Sequence, residues 1–355
     1  MKSMFGRNKG KKGNYAYVVA RVKAKKAQLM SDDAYQKMLL MSLPEISRFI
    51  SESGYQKEIT DLTAKFDGIN LVEHATYQNM ARIFEDILHS ATGELHDILA
   101  IDLERWDIWN LKVILRGKSF GVDADSIRED LVLAGKLNEE DLEKLISLES
   151  QEEIIALYGR KTGRPIPQSV IDEVKEKKNL SIIEDFLDKN HYEALLASID
   201  PKDKPYRLYQ DYIRMEVDMK NLETILKLKL EGVTGEQVMD YYISGGKEID
   251  RKLATQLANA ETISAAVNDM AQLSFFDEIK EALDKDTNTL REIVAGLKKC
   301  KMDASKNFSH LYPLSVIPVI DFMIHKENEV NNIRIVARGI ESGLDAETIK
   351  GLLVI

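Results

Sequence analysis

Hydrophobic and polar positions along the chain follow one pattern three times over. Counting from Asn110, Asn221 and Asn332, apolar residues stand at −2 (Ile108, Met219, Val330), +1 (Leu111, Leu222, Ile333), +4 (Ile114, Ile225, Val336) and +5 (Leu115, Leu226, Ala337). This spacing is the stripe of an amphipathic helix with one face turned to a core. Successive asparagines are 111 residues apart, so the chain holds three copies of one unit. The register continues into Gly121, Gly232 and Gly343, where glycine suits the left-handed residue just past a helix end. Two positions later, Asp123, Thr234 and Asp345 can accept from the free N–H groups of a new helix, and Thr234 with Gln237 has capping-box spacing. Each unit reads as helix, glycine turn, helix, with a fresh apolar position at Ile127, Val238 and Ile349.

Between these stretches the spacing remains helical. It runs from Tyr15 through Met41, with Pro44 and Gly54 as punctuation, and from His74 to Ile101 into the first Asn helix at about Asp102. It returns over residues 181–199, 206–230 and 249–283. The helix after Gly121 is expected to end near Ala134-Gly135-Lys136, and its counterpart near Gly245-Gly246-Lys247. Loops are expected from Gly159 to Pro167 and from Asp200 to Pro205, and Pro313 with Pro318 breaks the stretch before the third Asn helix. No segment alternates in the manner of a strand. The chain is therefore all-α, divided into a basic tail (1–14) and three similar helical domains (15–122, 123–233 and 234–355). Three copies can form an open solenoid or close about a pseudo-threefold axis, and three is short for a solenoid.

Composition narrows the function. A net charge of −10 argues against non-specific nucleic-acid binding by the whole chain. Against that background residues 1–26 carry nine Lys or Arg and no acid, a segregated charge that reads as a solvated, frayed tail or as attraction to anionic headgroups or an acidic partner. The lone Cys300 makes no internal disulfide, and no apolar run approaches the roughly 18 residues of a membrane span.

Patterns of catalysis and cofactor binding are missing. Gly159-Arg-Lys-Thr-Gly163 lacks the spacing and ending of a phosphate-binding loop. His89 and His96 fall on one helical face but about 10 Å apart, too far to share a metal. The acid at −3 (Asp107, Asp218, Glu329) lies inside the apolar stripe beside the Asn, where it must satisfy neighbouring polar groups or line an inner wall facing a partner. The cation at +6 (Arg116, Lys227, Arg338) points away from the stripe, which makes these three the candidate partner-facing residues. Gly117 and Gly339 align with the Asn and allow a second helix to come close.

Asn110-Leu-Lys-Val-Ile-Leu-Arg-Gly-Lys118 and Asn331-Asn-Ile-Arg-Ile-Val-Ala-Arg-Gly339, with the opening Tyr15-Ala-Tyr-Val-Val-Ala-Arg-Val-Lys-Ala-Lys25, make a sequence that resembles the C subunit of archaeal A-type ATP synthases. That subunit is a relative of the vacuolar-type ATPase d subunit. The likeness covers residues 15–355; the middle copy departs from it with Leu228 where the others have Gly. The resemblance implies a funnel of three helical domains around a central cavity. Its wide face would sit on the proteolipid rotor ring, and its socket would hold the central shaft subunits. It further implies a non-catalytic role in ATP synthesis coupled to proton or sodium transport, without bound nucleotide, at the cytoplasmic face of the cell membrane. A soluble helical-repeat adaptor is the alternative with the same fold.

Overall fold

A computed structural model of the chain describes residues 11–199, 204–233, 235–277, 280 and 290–355. Among these residues every regular element is a helix. The contacts divide them into two compact units, one of residues 11–188 with 325–353 and one of residues 189–324 with Val354 and Ile355. The first Asn helix is Arg105–Ser119, the second Lys204–Leu230 and the third Ile317–Glu341. Every apolar position of the shared stripe is buried in all three.

In the first unit, local chemistry decides where helices begin and end. Ser42 and Glu45 cap the helix Leu43–Ile50 reciprocally, with Pro44 in its first turn. Gly54, at φ 104°, makes the kink between the helices Leu43–Ile50 and Gln56–Leu62. The stretch expected to run unbroken from His74 to Ile101 is two helices, Gly68–Ser90 and Gly93–Leu103. The break exists because residues 11–14 lie across it: Asn14 Nδ2 donates to the Ser90 carbonyl, Thr92 N–H to Asn14 Oδ1, and Glu94 N–H to the Lys11 carbonyl. His89 and His96 consequently stand on different helices. Gly159, expected in a loop, is inside the helix Gln151–Thr162, and the loop begins at the left-handed Gly163.

The two larger apolar cores among the described residues of this unit share the Asn helices. One gathers Leu111, Ile114 and Leu115 with Ile127, Leu142, Ile155 and Ile183. The other gathers Tyr35, Met38, Ile46 and Ile50 with Ile333, Val336 and Ile349, so the start of the chain and its end share a core.

In the second unit the helix Lys204–Leu230 packs against Leu290–Leu311. The reading of residues 249–283 as nearly unbroken helix gives way to separate helices, Arg251–Asn259 and Ile263–Met270, because Asp250 and Thr262 each accept a backbone N–H at a new start. Residues 278–279 and 281–283 of that stretch lie outside the described residues, as do residues 200–203 of the expected Asp200–Pro205 loop.

The glycine turns have the same build. Gly121, Gly232 and Gly343 have φ of 66°, 81° and 68°. After each, the next N–H returns to the carbonyl five residues back: Val122 to Gly117, Val233 to Leu228 and Leu344 to Gly339, at 2.9 Å every time. Asp123 and Asp345 then cap the following helices through the N–H groups of Ser126 and Thr348. Thr234, the expected cap in the middle copy, lies outside the described residues.

A Cβ on Gly117 would overlap Ile127, and one on Gly339 would come within 2.5 Å of Ile349, so each glycine is the notch into which the next helix sets an isoleucine. The middle copy places Leu228 and Val238 at these positions. Gly339→Ala is therefore expected to destabilise the chain by about 1–3 kcal/mol, and adding Ile349→Val to recover part of the loss. Thermal melts of the two variants check this; an unchanged Gly339→Ala would mean that the notch is loose.

Candidate functional site

The Asn and the acid three residues before it are buried in every Asn helix, and in the first two copies they share one task. Asn110 donates from Nδ2 to the Val132 carbonyl and accepts the Val132 N–H at Oδ1, both at 2.8 Å. Asn221 does the same with Ile243, at 2.9 and 2.8 Å. Each pair is 22 residues apart in sequence. Asp107 accepts the N–H groups of Lys136 and Leu137, both at 2.9 Å. Asp218 accepts those of Lys247, Glu248 and Ile249 at 2.9, 2.7 and 3.0 Å. One side chain thus replaces a strand neighbour for a buried residue, and the other replaces a helix cap for a row of free amides.

These grips explain why the helices after the glycine turns stop early. The helices are only Ala124–Glu129 and Glu236–Met239, short of the ends expected near Gly135 and Gly246. Beyond them the backbone is drawn onto the Asn helix, and a Cβ on Gly135 or Gly246 would run into the carboxylate of Asp107 or Asp218.

The third copy solves the same problem with other partners. The buried Glu329 is held by residues of the first copy. Its carboxylate accepts the Met30 N–H and the Tyr55 hydroxyl, both at 2.6 Å, and the Lys326 ammonium at 2.7 Å. Lys326 also donates to the Tyr55 hydroxyl and lies 4.1 Å from the centre of its ring. Burial lowers the Lys326 pKa against the pull of Glu329. Asn332, likewise buried, hydrogen-bonds the Tyr35 hydroxyl.

The +6 cations at either end of the repeat array hold carboxylates of their own chain. Arg116 grips both carboxylate oxygens of Glu184, and Arg338 both of Glu73, while each arginine side chain stays 54% exposed. Arg334 reaches Tyr77 and Asp130 beside Arg338. Burial raises the Glu73 carboxyl, but Arg338 and Arg334 together hold it below its ordinary value. Lys227 is exposed, and the residue one period after Glu184 is Ala295, so the middle copy has no carboxylate at that place. Sequence reasoning missed Glu73, Glu184, Tyr55 and Met30. Only the first two left a signal, since they stand 111 residues apart.

None of this is an arrangement for chemistry. The acids face backbone amides or cations, and among the described residues no group of His, Cys, Asp and Glu could hold a metal ion. No helix of the described residues is long and apolar enough to cross a membrane.

Two outcomes follow for stability. Asn110→Ala leaves the buried Val132 N–H and carbonyl without partners and is expected to cost about 2–4 kcal/mol, against about 1 kcal/mol for the half-exposed Arg116→Ala. Denaturant titration of both variants orders them. Burial pushes the Asp107 carboxyl up to about 6 from an ordinary 3.8, with the Leu137 and Lys136 amides pulling it down and Glu104 adding to the rise. A raised folded-state pKa favours the fold below the unfolded value, and that advantage is lost as pH climbs through the folded value. Relative to Asp107→Asn, the wild-type chain should therefore lose about 2 kcal/mol between pH 4 and pH 7. A pH-independent difference would mean that the amides hold Asp107 at its ordinary pKa.

Comparison with known proteins agrees with this non-catalytic site. A family model described as ATP synthase (C/AC39) subunit matches residues 18–352. The C subunit of the A-type ATP synthase of Methanococcoides burtonii is 35% identical over 347 residues, 98% of this chain and 96% of its own length. That of Methanosarcina acetivorans is 35% identical over 353 residues (98% and 95%), and that of Haloquadratum walsbyi 34% over 343 (95% and 97%). A match along nearly the whole length shows that the chain belongs to the ATP synthase (C/AC39) subunit family.

Proposed function

We propose that this chain is the coupler of a rotary A-type ATP synthase, seated on the membrane rotor ring of proteolipids and holding the end of the central shaft. Membership of the family makes it a non-catalytic component of the central stalk. The finer reading is three copies of one helical unit, 15–122, 123–233 and 234–355, closed about a pseudo-threefold axis around a central socket. Torque from a ring turned by ion flow must reach the shaft through such a body, so its joints must resist shear. Packed helices clasped by ion pairs do this better than loops.

The register of the clasps carries the closed reading. Arg338 stands two periods after Arg116, and Glu184 one period after Glu73. Arg116 reaches 68 residues forward and Arg338 265 residues back. Over three periods of 111 these are the same step. Lys112 with Asp188, and Arg334 with Tyr77, repeat the relation at a second place. An array whose last copy uses the first copy's residues as a next copy favours a ring over an open solenoid. The partners of Glu329 support it too, because the acid of the third copy is held by Met30 and Tyr55 of the first.

Within this reading Lys227 is the +6 cation left for a partner. The segregated basic charge of residues 1–26 is what would face an anionic membrane, and Lys11 and Lys12 within it are exposed. Attachment is peripheral, at the cytoplasmic face.

Tagged chain drawn from detergent-solubilised membranes is expected to bring rotor-ring and shaft subunits with it, while the purified chain alone gives no heat with ATP in calorimetric titration. Recovery of the chain free of motor subunits, with unrelated cytosolic proteins instead, would favour the adaptor.

A further inference from the structure

Among the described residues of its unit, the most exposed large apolar side chains stand in the turn between the helices Leu290–Leu311 and Ile317–Glu341. Leu311 and Leu314 are each 69% exposed and Tyr312 39%. The backbone here needs no outside help, since the Ser315 hydroxyl donates to the Tyr312 carbonyl and accepts the Ile317 N–H. Nothing in the local fold requires leucines at the tip, and three large apolar side chains in water cost solubility.

The corresponding turn two periods earlier is Ser90–Gly93, and there the chain's own residues 11–14 lie across the backbone. Its side chains are polar: His89 and Thr92 stand where Leu311 and Leu314 stand later. The turn is polar where the chain covers itself and apolar in this copy.

Charge around the tip points to what meets it. Residues 304–320 contain no acid, in a chain of net charge −10. Phe308 and Tyr312 lie with ring centres 6.0 Å apart, and the Lys247 ammonium is 5.7 Å from the Phe308 ring. Lys247, Lys306 and His310 are all exposed. The nearest acids in sequence are Glu248, which is spent on the Ser274 N–H and hydroxyl, the half-buried Asp303 and the buried Asp321, bonded to Ser305. Leucines at an apex, aromatic rings behind them and lysines at the flanks suit the boundary between acyl chains and anionic headgroups.

We propose that the Leu311–Leu314 turn dips into the anionic lipid surface, with Lys247 and Lys306 on headgroup phosphates, and so fixes how the chain sits against the membrane. This rests on the membrane-coupler reading, but its failure is separable from failure of that reading. The full-length chain is floated with vesicles rich in phosphatidylglycerol and with vesicles of phosphatidylcholine alone. Binding to the anionic vesicles is expected, weakened about tenfold in Leu311→Ser with Leu314→Ser and at least as much in Lys247→Glu with Lys306→Glu. A Leu314→Trp chain should gain fluorescence that brominated phosphatidylglycerol quenches. Vesicle binding unchanged in both double variants, or no quenching of the introduced tryptophan, would overturn the proposal. Variants that float normally yet fail to recover rotor subunits would make the turn a protein interface and overturn it equally. Loss of floating with motor subunits still recovered would support the lipid contact.

Discussion

The constraint on which this structure depends is the need to satisfy buried backbone that is neither helix nor strand. Val132, Leu137, Ile243 and Ile249 are buried and lie outside helices. An unpaired amide or carbonyl in such a place costs about 1–3 kcal/mol. Asn110 and Asn221 each meet one residue's N–H and carbonyl together, a two-point match that an ionised carboxylate, with no donor, cannot make. Asp107 and Asp218 can only accept, and they face rows of N–H groups and no carbonyl. The two residue types are therefore not interchangeable, although they sit three positions apart on one face.

Rigidity follows from this. Once the loop is pinned, the short helix before it is fixed at both ends, by the glycine turn on one side and the Asn on the other. Ile127 is then presented to the notch at Gly117, and Ile349 to the notch at Gly339. Arg116 with Glu184, and Arg338 with Glu73, tie the outer side of the same helices. A body that carries torque needs restraints on both sides of its helices, a polar grip within and ion pairs without. The middle copy keeps the grip but has Lys227 and Ala295 where the others have the pair.

Much of this was legible in the chain. The period, the buried stripe and the left-handed glycines could be read because a helix with one buried face and a capped end leaves a local signature. The resemblance seen in Asn110–Lys118 and Asn331–Gly339 holds along nearly the whole chain. What escaped was set by distant partners. Helical spacing continues past Glu129 toward Gly135, and nothing local says that Asn110 and Asp107 will draw that backbone away from the helix. The spacing from His74 to Ile101 likewise conceals the break that residues 11–14 impose. Tyr55 and Met30 could not be assigned to Glu329 from spacing, because they stand 274 and 299 residues before it, whereas Asp107 and Asp218 bind amides 29 residues on.

Amide hydrogen exchange tests the central claim most directly, without altering a residue. If side chains of the Asn helices close these backbone groups, the N–H groups of Val132, Leu137, Ile243 and Ile249 exchange as slowly as helical core amides such as those of Leu111 and Leu222, despite lying in irregular segments. Exchange at the rate of exposed loop amides would contradict it.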